Sequence, residues 1–386
     1  MKPKERILKA ISGKVPDSVP SIPKIWVDLA ANLMDISLLR VIQEPYLALK
    51  IIADAAILVK ADGARQFHFP ERKVIVDKEK VIEIDEHGKH LGVIDMMGGL
   101  VTQLYHNNSI DLTNPYHVAH QHFWKTPEPL IRNMEDVKSL VVPDKNFYHE
   151  TGCAKRQKEI LNSSGDKILL IGDCNSATLA FYVDLCGYEK SLFDLVDNPS
   201  LVHATMEKGV AIAVERGKFN IDMGLNVLRL NDSVANMSVI SPKFWREFIF
   251  PHMKDVCSEL HNYYPEVKIY CHICGNIMPI VDDLIKTGLD CIGPLDPLGN
   301  FTPGEVREKV DEQVSLMGGI NTISFIQHEP EEVLEEARQC MQEAGRNGGY
   351  ILSSGCVIPR IAKIENLLAL NDAVKKYGNY QNGILV

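Results

Sequence analysis

Short apolar runs alternate with longer amphipathic segments along most of the chain. Continuous apolar runs of this length are typical of strands buried on both faces, and apolar residues at three- and four-residue spacing indicate helices. The predicted strands are Val19–Asp28, Gly63–Phe69, Lys167–Cys174, Val227–Asp232, Lys268–Cys274, Leu289–Leu295, Val314–Asn321 and Tyr350–Cys356. Helices are predicted over 4–12, 44–60, 177–185, 199–218, 242–263, 279–287, 303–310, 330–344 and 361–377. Eight strands alternating with helices predict an α/β fold, a single (β/α)8 TIM barrel over residues 1–386.

The pattern changes to two-residue alternation between residues 72 and 106. Lys73–Asp77 and Val81–Asp85 have the composition of paired antiparallel strands, and Gly88 lies in the turn that follows them. This segment predicts a small inserted β-subdomain that covers one end of the barrel.

Composition and charge narrow the range of partners. The formal net charge of −10 argues against nucleic acid and against anionic membrane, since both require a basic face. Residues 1–15 carry basic residues but no long apolar run, so neither a signal peptide nor a membrane anchor is expected there. Nine cysteines, an odd number, indicate reduced thiols and a cytoplasmic protein. No Gly-x-Gly-x-x-Gly follows a predicted strand, which disfavours nucleotide-binding folds.

Polar residues gather where the predicted strands end. The active sites of such barrels are built at the carboxyl ends of the strands. The residues there are Asp28, His68, Asp173, Asn175, Asn231, Asp232, His272, Cys274, Asp296, Asn321 and Cys356. Asn and Asp also occur at strand ends because they cap turns, so each of these residues has a structural alternative.

His272, Cys274 and Cys356 form a candidate zinc site. Successive strand residues point to opposite faces, so His272 and Cys274 share one face and Cys271 lies on the other. Three protein ligands leave one position open, as in a catalytic zinc site. The structural alternatives are a buried core histidine and inert thiols. A redox pair of Cys271 and Cys274 is disfavoured, because the two thiols point to opposite faces.

The sequence resembles the uroporphyrinogen decarboxylase superfamily, specifically its branch of zinc-dependent, corrinoid-linked methyltransferases. The segments that carry the resemblance are 5–10, 13–17, 172–180, 230–232, 318–321 and 355–359, together with His272-x-Cys274 and Cys356. In the decarboxylase branch an arginine-rich segment near the first strand grips substrate carboxylates. Residues 19–40 contain only Lys24 and Arg40 as basic residues, which disfavours decarboxylation of porphyrinogens.

The resemblance implies transfer of a methyl group between a corrinoid and a small substrate, such as the thiol coenzyme M. The chain lacks the Asp-x-His-x-x-Gly pattern of corrinoid-binding domains, so a separate partner protein is expected to carry the corrinoid. The resemblance also implies that an acidic residue, here Asp296, completes the zinc coordination until substrate displaces it, and the decarboxylase relatives suggest a homodimer.

The remaining site residues follow from their positions at strand ends. Catalytic roles are predicted for Asp232 and Asn231 beside Asp296, and cofactor-binding roles for Asp173, Asn175 and Asn321. Three alternatives stay open at this point: the reverse direction, with a methoxylated or methylated donor; a decarboxylating lyase; and a non-catalytic barrel with a structural zinc.

Overall fold

A curled parallel sheet forms the centre of the molecule. The computed structural model describes residues 1–66, 73–77, 80–85, 87–95, 102–105, 109–119 and 126–386. Its strands are β1 (Gly63–Gln66), β2 (Lys73–Asp77), β3 (Lys80–Ile84), β4 (His90–Asp95), β5 (Thr102–Tyr105), β6 (Leu169–Asn175), β7 (Val227–Asn231), β8 (Lys268–His272), β9 (Cys291–Leu295), β10 (Ser315–Ile320), β11 (Tyr350–Ser354), β12 (Tyr380–Gln381) and β13 (Ile384–Leu385). Seven of the described strands pair in parallel in the order β1-β6-β7-β8-β9-β10-β11. The predicted TIM-barrel class is confirmed.

The prediction of a regular first strand at Val19–Asp28 is wrong. Its part in the sheet is an isolated parallel bridge from Ser21 to Leu352, and the following helix already begins at Val27. Pro20 and Pro23 have no N–H to give to a ladder, so pairing cannot extend in either direction. The segment still lies between β11 and β1, because the Ile22 N–H bonds to Leu352 O and the Asp62 N–H bonds to Ser21 O.

Helices surround the sheet and connect its successive strands. They are α1 (Pro3–Ile11), α2 (Val27–Leu33), α3 (Leu38–Gln43), α4 (Pro45–Leu58), α5 (Pro115–Ala119), α6 (Met134–Ser139), α7 (Lys145–Glu150), α8 (Cys153–Ser164), α9 (Leu179–Cys186), α10 (Tyr188–Asp197), α11 (Pro199–Asp222), α12 (Pro242–Phe244), α13 (Phe250–Tyr263), α14 (Val281–Ile285), α15 (Pro303–Val310), α16 (Ser324–Gln327), α17 (Pro330–Ala344) and α18 (Ile364–Tyr377). The helix predicted over 242–263 is interrupted by a π-helical turn at Trp245–Ile249. Pro251 lies just beyond this turn and has no N–H for an α-helical bond.

The main apolar core has two layers. The outer core lies between the sheet and the helices around it, and the inner core fills the barrel interior at the amino ends of the strands. Ile7 and Ile11 of α1 pack against Leu169, Tyr270 and Met317 of the sheet, all nearly inaccessible to solvent. Since α1 covers the amino ends of the strands, the opposite end is the one left for a site.

The inserted antiparallel sheet is also confirmed. Strands β2, β3, β4 and β5 pair in that order, each antiparallel to the next. The turn between β3 and β4 is held by the Asp85 carboxylate, which accepts the N–H groups of His87 and Lys89. In the described part of the chain, no helix combines the length and apolar character that spanning a membrane requires.

Candidate metal centre

His272, Cys274 and Cys356 meet at the carboxyl end of the parallel sheet. His272 is the last residue of β8, Cys274 follows it by two residues, and Cys356 follows the end of β11 by two. One ligand atom from each lies within 4.8 Å of the others, and Cys356 Sγ is 3.8 Å from His272 Nε2. The imidazole is buried, and both thiols are partly open to solvent.

These distances fit the size of a zinc ion. Zn–S bonds of about 2.3 Å and Zn–N bonds of about 2.0–2.1 Å at tetrahedral angles separate S from N by roughly 3.6 Å and S from S by roughly 3.8 Å. The 3.8 Å between Cys356 Sγ and His272 Nε2 is close to the first of these values. Two thiols and an imidazole are also ligands that zinc prefers.

Local backbone contacts bring Cys356 to the site. The Gly355 N–H donates to Ile320 O of the neighbouring strand at 2.7 Å, and the Ser354 hydroxyl donates to Cys356 O at 2.7 Å. A side chain at Gly355 would lie 2.7 Å from Pro297 Cδ. Only glycine allows the loops after β9 and β11 to approach this closely.

The protonation states of the three groups suit metal binding. Burial lowers the pKa of His272 well below its usual value, so the imidazole is neutral. The hydrogen bond from the Cys274 thiol lowers the pKa of Cys356 to about 6, and the same bond raises that of Cys274. The pair therefore holds one proton and one thiolate near neutral pH.

The other thiol of the Cys-x-x-Cys sequence lies outside this centre. Cys271 is 3% exposed and belongs to the outer apolar core, whereas its strand neighbour Tyr270 belongs to the inner one. All nine cysteines lie in described parts of the chain and are free, and among them only Cys274 and Cys356 are not fully buried. Cys271 therefore takes no part in the three-residue cluster, and the view that it forms no redox pair with Cys274 stays a prediction.

Asp296 lies beside the centre, but its carboxylate is engaged with backbone amides. Oδ2 accepts from the Gly275 N–H at 3.0 Å, and Oδ1 accepts from the Leu298 N–H at 3.1 Å. These bonds tie the loop after Cys274 to the turn after β9. Its contacts are those of a loop-capping aspartate, and its role as a zinc ligand stays a prediction.

Asp232 and Asn231 also make structural contacts. Asp232 is 1% exposed and accepts hydrogen bonds from the Thr178 hydroxyl and, at 2.7 Å, from the Ala180 N–H at the start of α9. Burial raises the pKa of Asp232 to about 6. Asn231 accepts from Arg229 Nη2 at 2.6 Å and donates to the Ser176 hydroxyl at 3.2 Å. Catalytic roles for both remain predictions.

The three predicted cofactor-binding residues lie in different surroundings. Asp173 forms an ion pair with Arg229 Nη1 at 2.8 Å, and its other oxygen accepts the Asn175 N–H at 2.7 Å. Asn175 has a φ of +69°, so it turns the chain sharply at the end of β6. Asn321 caps the turn after β10 by accepting the Ile323 N–H at 3.0 Å. Of the other strand-end residues, Asp28 lies in the first turn of α2, and His68 lies outside the described residues.

Sequence reasoning missed the basic residues inside the barrel. Lys24 Nζ is 2.9 Å from His272 Nδ1, the ring nitrogen that faces away from Cys356. Arg65 and Arg229 enter the interior from β1 and β7. A signal was present for Arg229, because Val-Leu-Arg-Leu-Asn has a charge in the middle of an apolar strand.

A family model and a curated relative point to the same family. The family model described as Uroporphyrinogen decarboxylase (URO-D) matches residues 125–377. The uroporphyrinogen decarboxylase of Thermosynechococcus vestitus is 31% identical over 260 residues, which cover 64% of this chain and 71% of that protein.

Methyltransferases are also among the similar proteins. The methylcobamide:CoM methyltransferase of Methanosarcina barkeri is 20% identical over 221 residues, which cover 57% of this chain and 62% of that protein. The matched region thus spans less than two thirds of the methyltransferase. A solved structure of a methyltransferase from Methanosarcina mazei has a TM-score of 0.70 at 16% identity and covers 97% of this chain and 99% of that chain. At this identity the structural likeness concerns the fold alone.

Proposed function

Because the chain belongs to the uroporphyrinogen decarboxylase family, we propose that it is a zinc-dependent methyltransferase that moves a methyl group between a corrinoid and a small substrate. The corrinoid is carried by a separate partner protein, and the favoured substrate is a thiol such as coenzyme M. The observation that carries the proposal is the convergence of His272, Cys274 and Cys356 within 4.8 Å.

Each protein group has a part in this chemistry. His272 Nε2, Cys274 Sγ and Cys356 Sγ would hold the ion and leave one position for substrate, since the described cluster has three members. Zinc bound there would supply a Lewis acid that lowers the pKa of a substrate thiol. For Nε2 to bind the ion, His272 must carry its ring proton on Nδ1, and Lys24 would accept that N–H as a neutral amine, since burial lowers the pKa of Lys24 well below its usual value. Asp296 holds the loop after Cys274 through the Gly275 N–H. These contacts orient the ligands before substrate arrives.

The experiment that tests this function compares zinc-loaded and chelator-treated protein. Free methylcobalamin and a panel of thiols are supplied, and loss of the methyl–cobalt absorbance is followed. We expect transfer with zinc-loaded protein, and loss of at least about 100-fold after chelation and in Cys356→Ala, since positioning of the sulfur is lost. Cys271→Ala should keep wild-type transfer. A folded, zinc-loaded protein that transfers no methyl group to any thiol would exclude this direction.

The reverse direction is tested with the same preparation. Methoxylated and methylated small molecules replace the thiols, and cob(I)alamin is the acceptor. Methylcobalamin formation only in this arm would assign a donor-side enzyme.

A decarboxylase is the second candidate, because the relative at 31% identity bears that name. A decarboxylase that works without metal predicts full activity after chelation. Decarboxylation of uroporphyrinogen by both chelated wild-type protein and Cys356→Ala would therefore replace the methyltransferase proposal.

A further inference from the structure

The first strand of the inserted sheet has an open edge. Among the described residues, β2 pairs with β3 on one side and with no strand on the other. The backbone groups of successive residues point to opposite sides of an antiparallel strand, so about half of those in β2 bond to β3 and the rest face outward. An edge of this kind is a template on which another strand can pair.

This edge lacks the features that usually prevent such pairing. Natural edge strands are protected by proline, by charged side chains or by a bulge. β2 contains no proline, and its register with β3 runs without a shift from Lys73 to Asp77. Its three middle residues are apolar, and two of them, Ile75 and Val76, are 42% and 40% exposed. The centre of the edge is therefore unprotected.

One face of β2 is fixed to the body of the protein, and the other face is open. Val74 packs against the small apolar cluster that contains Ile42 of α3. On the opposite face, Ile75 lies directly across from Ile82 of β3, which lies across from Val93 of β4. Ile82 and Val93 are only partly buried. The solvent face of an antiparallel sheet is normally polar, so this apolar row is typical of a contact surface.

The charges at the two ends of β2 indicate which strand fits this edge. Lys73 and Asp77 are exposed, and neither forms an ion pair within the described part of the chain. Both share the face of Ile75, because they lie two residues to either side of it. When a second β2 strand pairs antiparallel with the first about a two-fold axis at Ile75, Lys73 lies opposite the partner subunit's Asp77. The strand is thus complementary to itself in charge and in apolar character.

We propose that this edge is an interface between two copies of the chain, in which the β2 strands pair antiparallel across a two-fold axis at Ile75. The two inserted sheets then form one continuous sheet. The outward backbone groups gain partners, the apolar rows of the two copies meet at Ile75, and two ion pairs form between Lys73 and Asp77. Because the contact is two-fold symmetric, it uses the β2 edge of both copies and assembly stops at two chains.

The interface is independent of the proposed methyl transfer. None of its residues belongs to the metal centre, and β2 lies outside residues 125–377, the region that the family model matches. Its small size predicts a weak dimer, since the pairing of two five-residue strands buries less than about 1,200 Å², the range of transient contacts. We expect a dissociation constant of roughly 1–100 μM.

Sedimentation of the full chain, at concentrations below and above this range, tests the proposal. We expect the mass to rise from that of one chain to that of two. Ile75→Lys places two ammonium groups opposite each other at the two-fold axis and should weaken association by at least about 10-fold. Ile384→Lys is the matched control, because Ile384 is a 51% exposed isoleucine in β13, and it should keep the wild-type association.

Exchange of the end charges tests the register. Lys73→Asp leaves β2 with two acidic ends, and Asp77→Lys leaves it with two basic ends, so each variant alone should dimerise about 10-fold more weakly than wild type. An equimolar mixture of the two variants should associate with near wild-type affinity, because every acidic end again faces a basic one. The double variant Lys73→Asp/Asp77→Lys should do so by itself.

Circular dichroism and thermal melting check that each variant is folded. The proposal is overturned by a wild-type chain that stays monomeric at the highest concentrations, or by growth beyond two chains. A dimer that Ile75→Lys leaves intact also overturns it, because such a dimer uses another surface. A mixture of the two charge variants that associates no more tightly than either alone excludes the antiparallel register.

Discussion

Replacing Cys274 with alanine should weaken zinc binding far more than replacing Cys271, three residues earlier. The two thiols lie near the end of the same strand, but Cys274 is within 4.8 Å of the other two candidate ligand atoms, and Cys271 packs in the outer core. The binding free energy of a structural zinc ion is about 10–16 kcal/mol with four protein ligands, which is roughly 2.5–4 kcal/mol per ligand. Loss of one ligand therefore predicts about a 10²- to 10³-fold rise in the zinc dissociation constant.

The control variant should show the opposite pattern. Cys271 is 3% exposed, so Cys271→Ala leaves a small cavity and should cost about 1 kcal/mol of unfolding free energy while zinc affinity stays at the wild-type value. Zinc affinity is measured anaerobically by competition with a chromophoric chelator, and stability by denaturant unfolding of the metal-free proteins. Equal zinc affinity of the two variants, or wild-type affinity in Cys274→Ala, would refute the proposed ligand set.

Three further predictions concern the surroundings of the site. Lys24→Met removes the 2.9 Å contact to His272 Nδ1 and should weaken zinc binding by about 10- to 100-fold, as expected for a group that orients a ligand; unchanged affinity in the same chelator assay would contradict this role. The pKa of Asp232 is raised to about 6 in the folded protein. The stability that the protonated carboxyl group contributes is therefore fully present below about pH 4 and is lost as pH rises through 6, which lowers the unfolding free energy by on the order of 3 kcal/mol. Denaturant unfolding of wild-type protein and Asp232→Asn across this range should therefore show the wild type losing stability relative to the variant as pH rises, and a pH-independent difference would disprove the assignment. Gly318→Ala places a Cβ 2.3 Å from the Leu295 amide nitrogen at a φ of +126°, whereas at Gly224 the φ is +83° and the space beside the Cα is open. The Gly318→Ala variant should therefore lose several kcal/mol of unfolding free energy, and the Gly224→Ala variant about 1–3 kcal/mol. Similar melting temperatures of the two variants would show that β9 and β10 can separate.

The alternation of apolar and amphipathic segments was sufficient to predict the barrel and its insert. The strands from β6 to β11 are buried along nearly their whole length, so their sequences are mostly apolar and their ends lie within two residues of the predicted ones. The prediction of the first strand was wrong because Pro20 and Pro23 lack the N–H donors that a strand ladder needs. In composition this extended apolar segment still resembles a strand. Hydrogen bonding, which composition does not report, decided that element.

The alternation of side chains along β8 determined from sequence that His272 and Cys274 face one way and Cys271 the other. Tertiary structure alone decided which distant groups meet them. Lys24 reaches His272 across 248 residues of chain, and Arg65 and Arg229 share Asp173 from two separate strands. Strand parity is a local property of the backbone, whereas these contacts depend on the closure and register of the whole sheet, which no local pattern specifies.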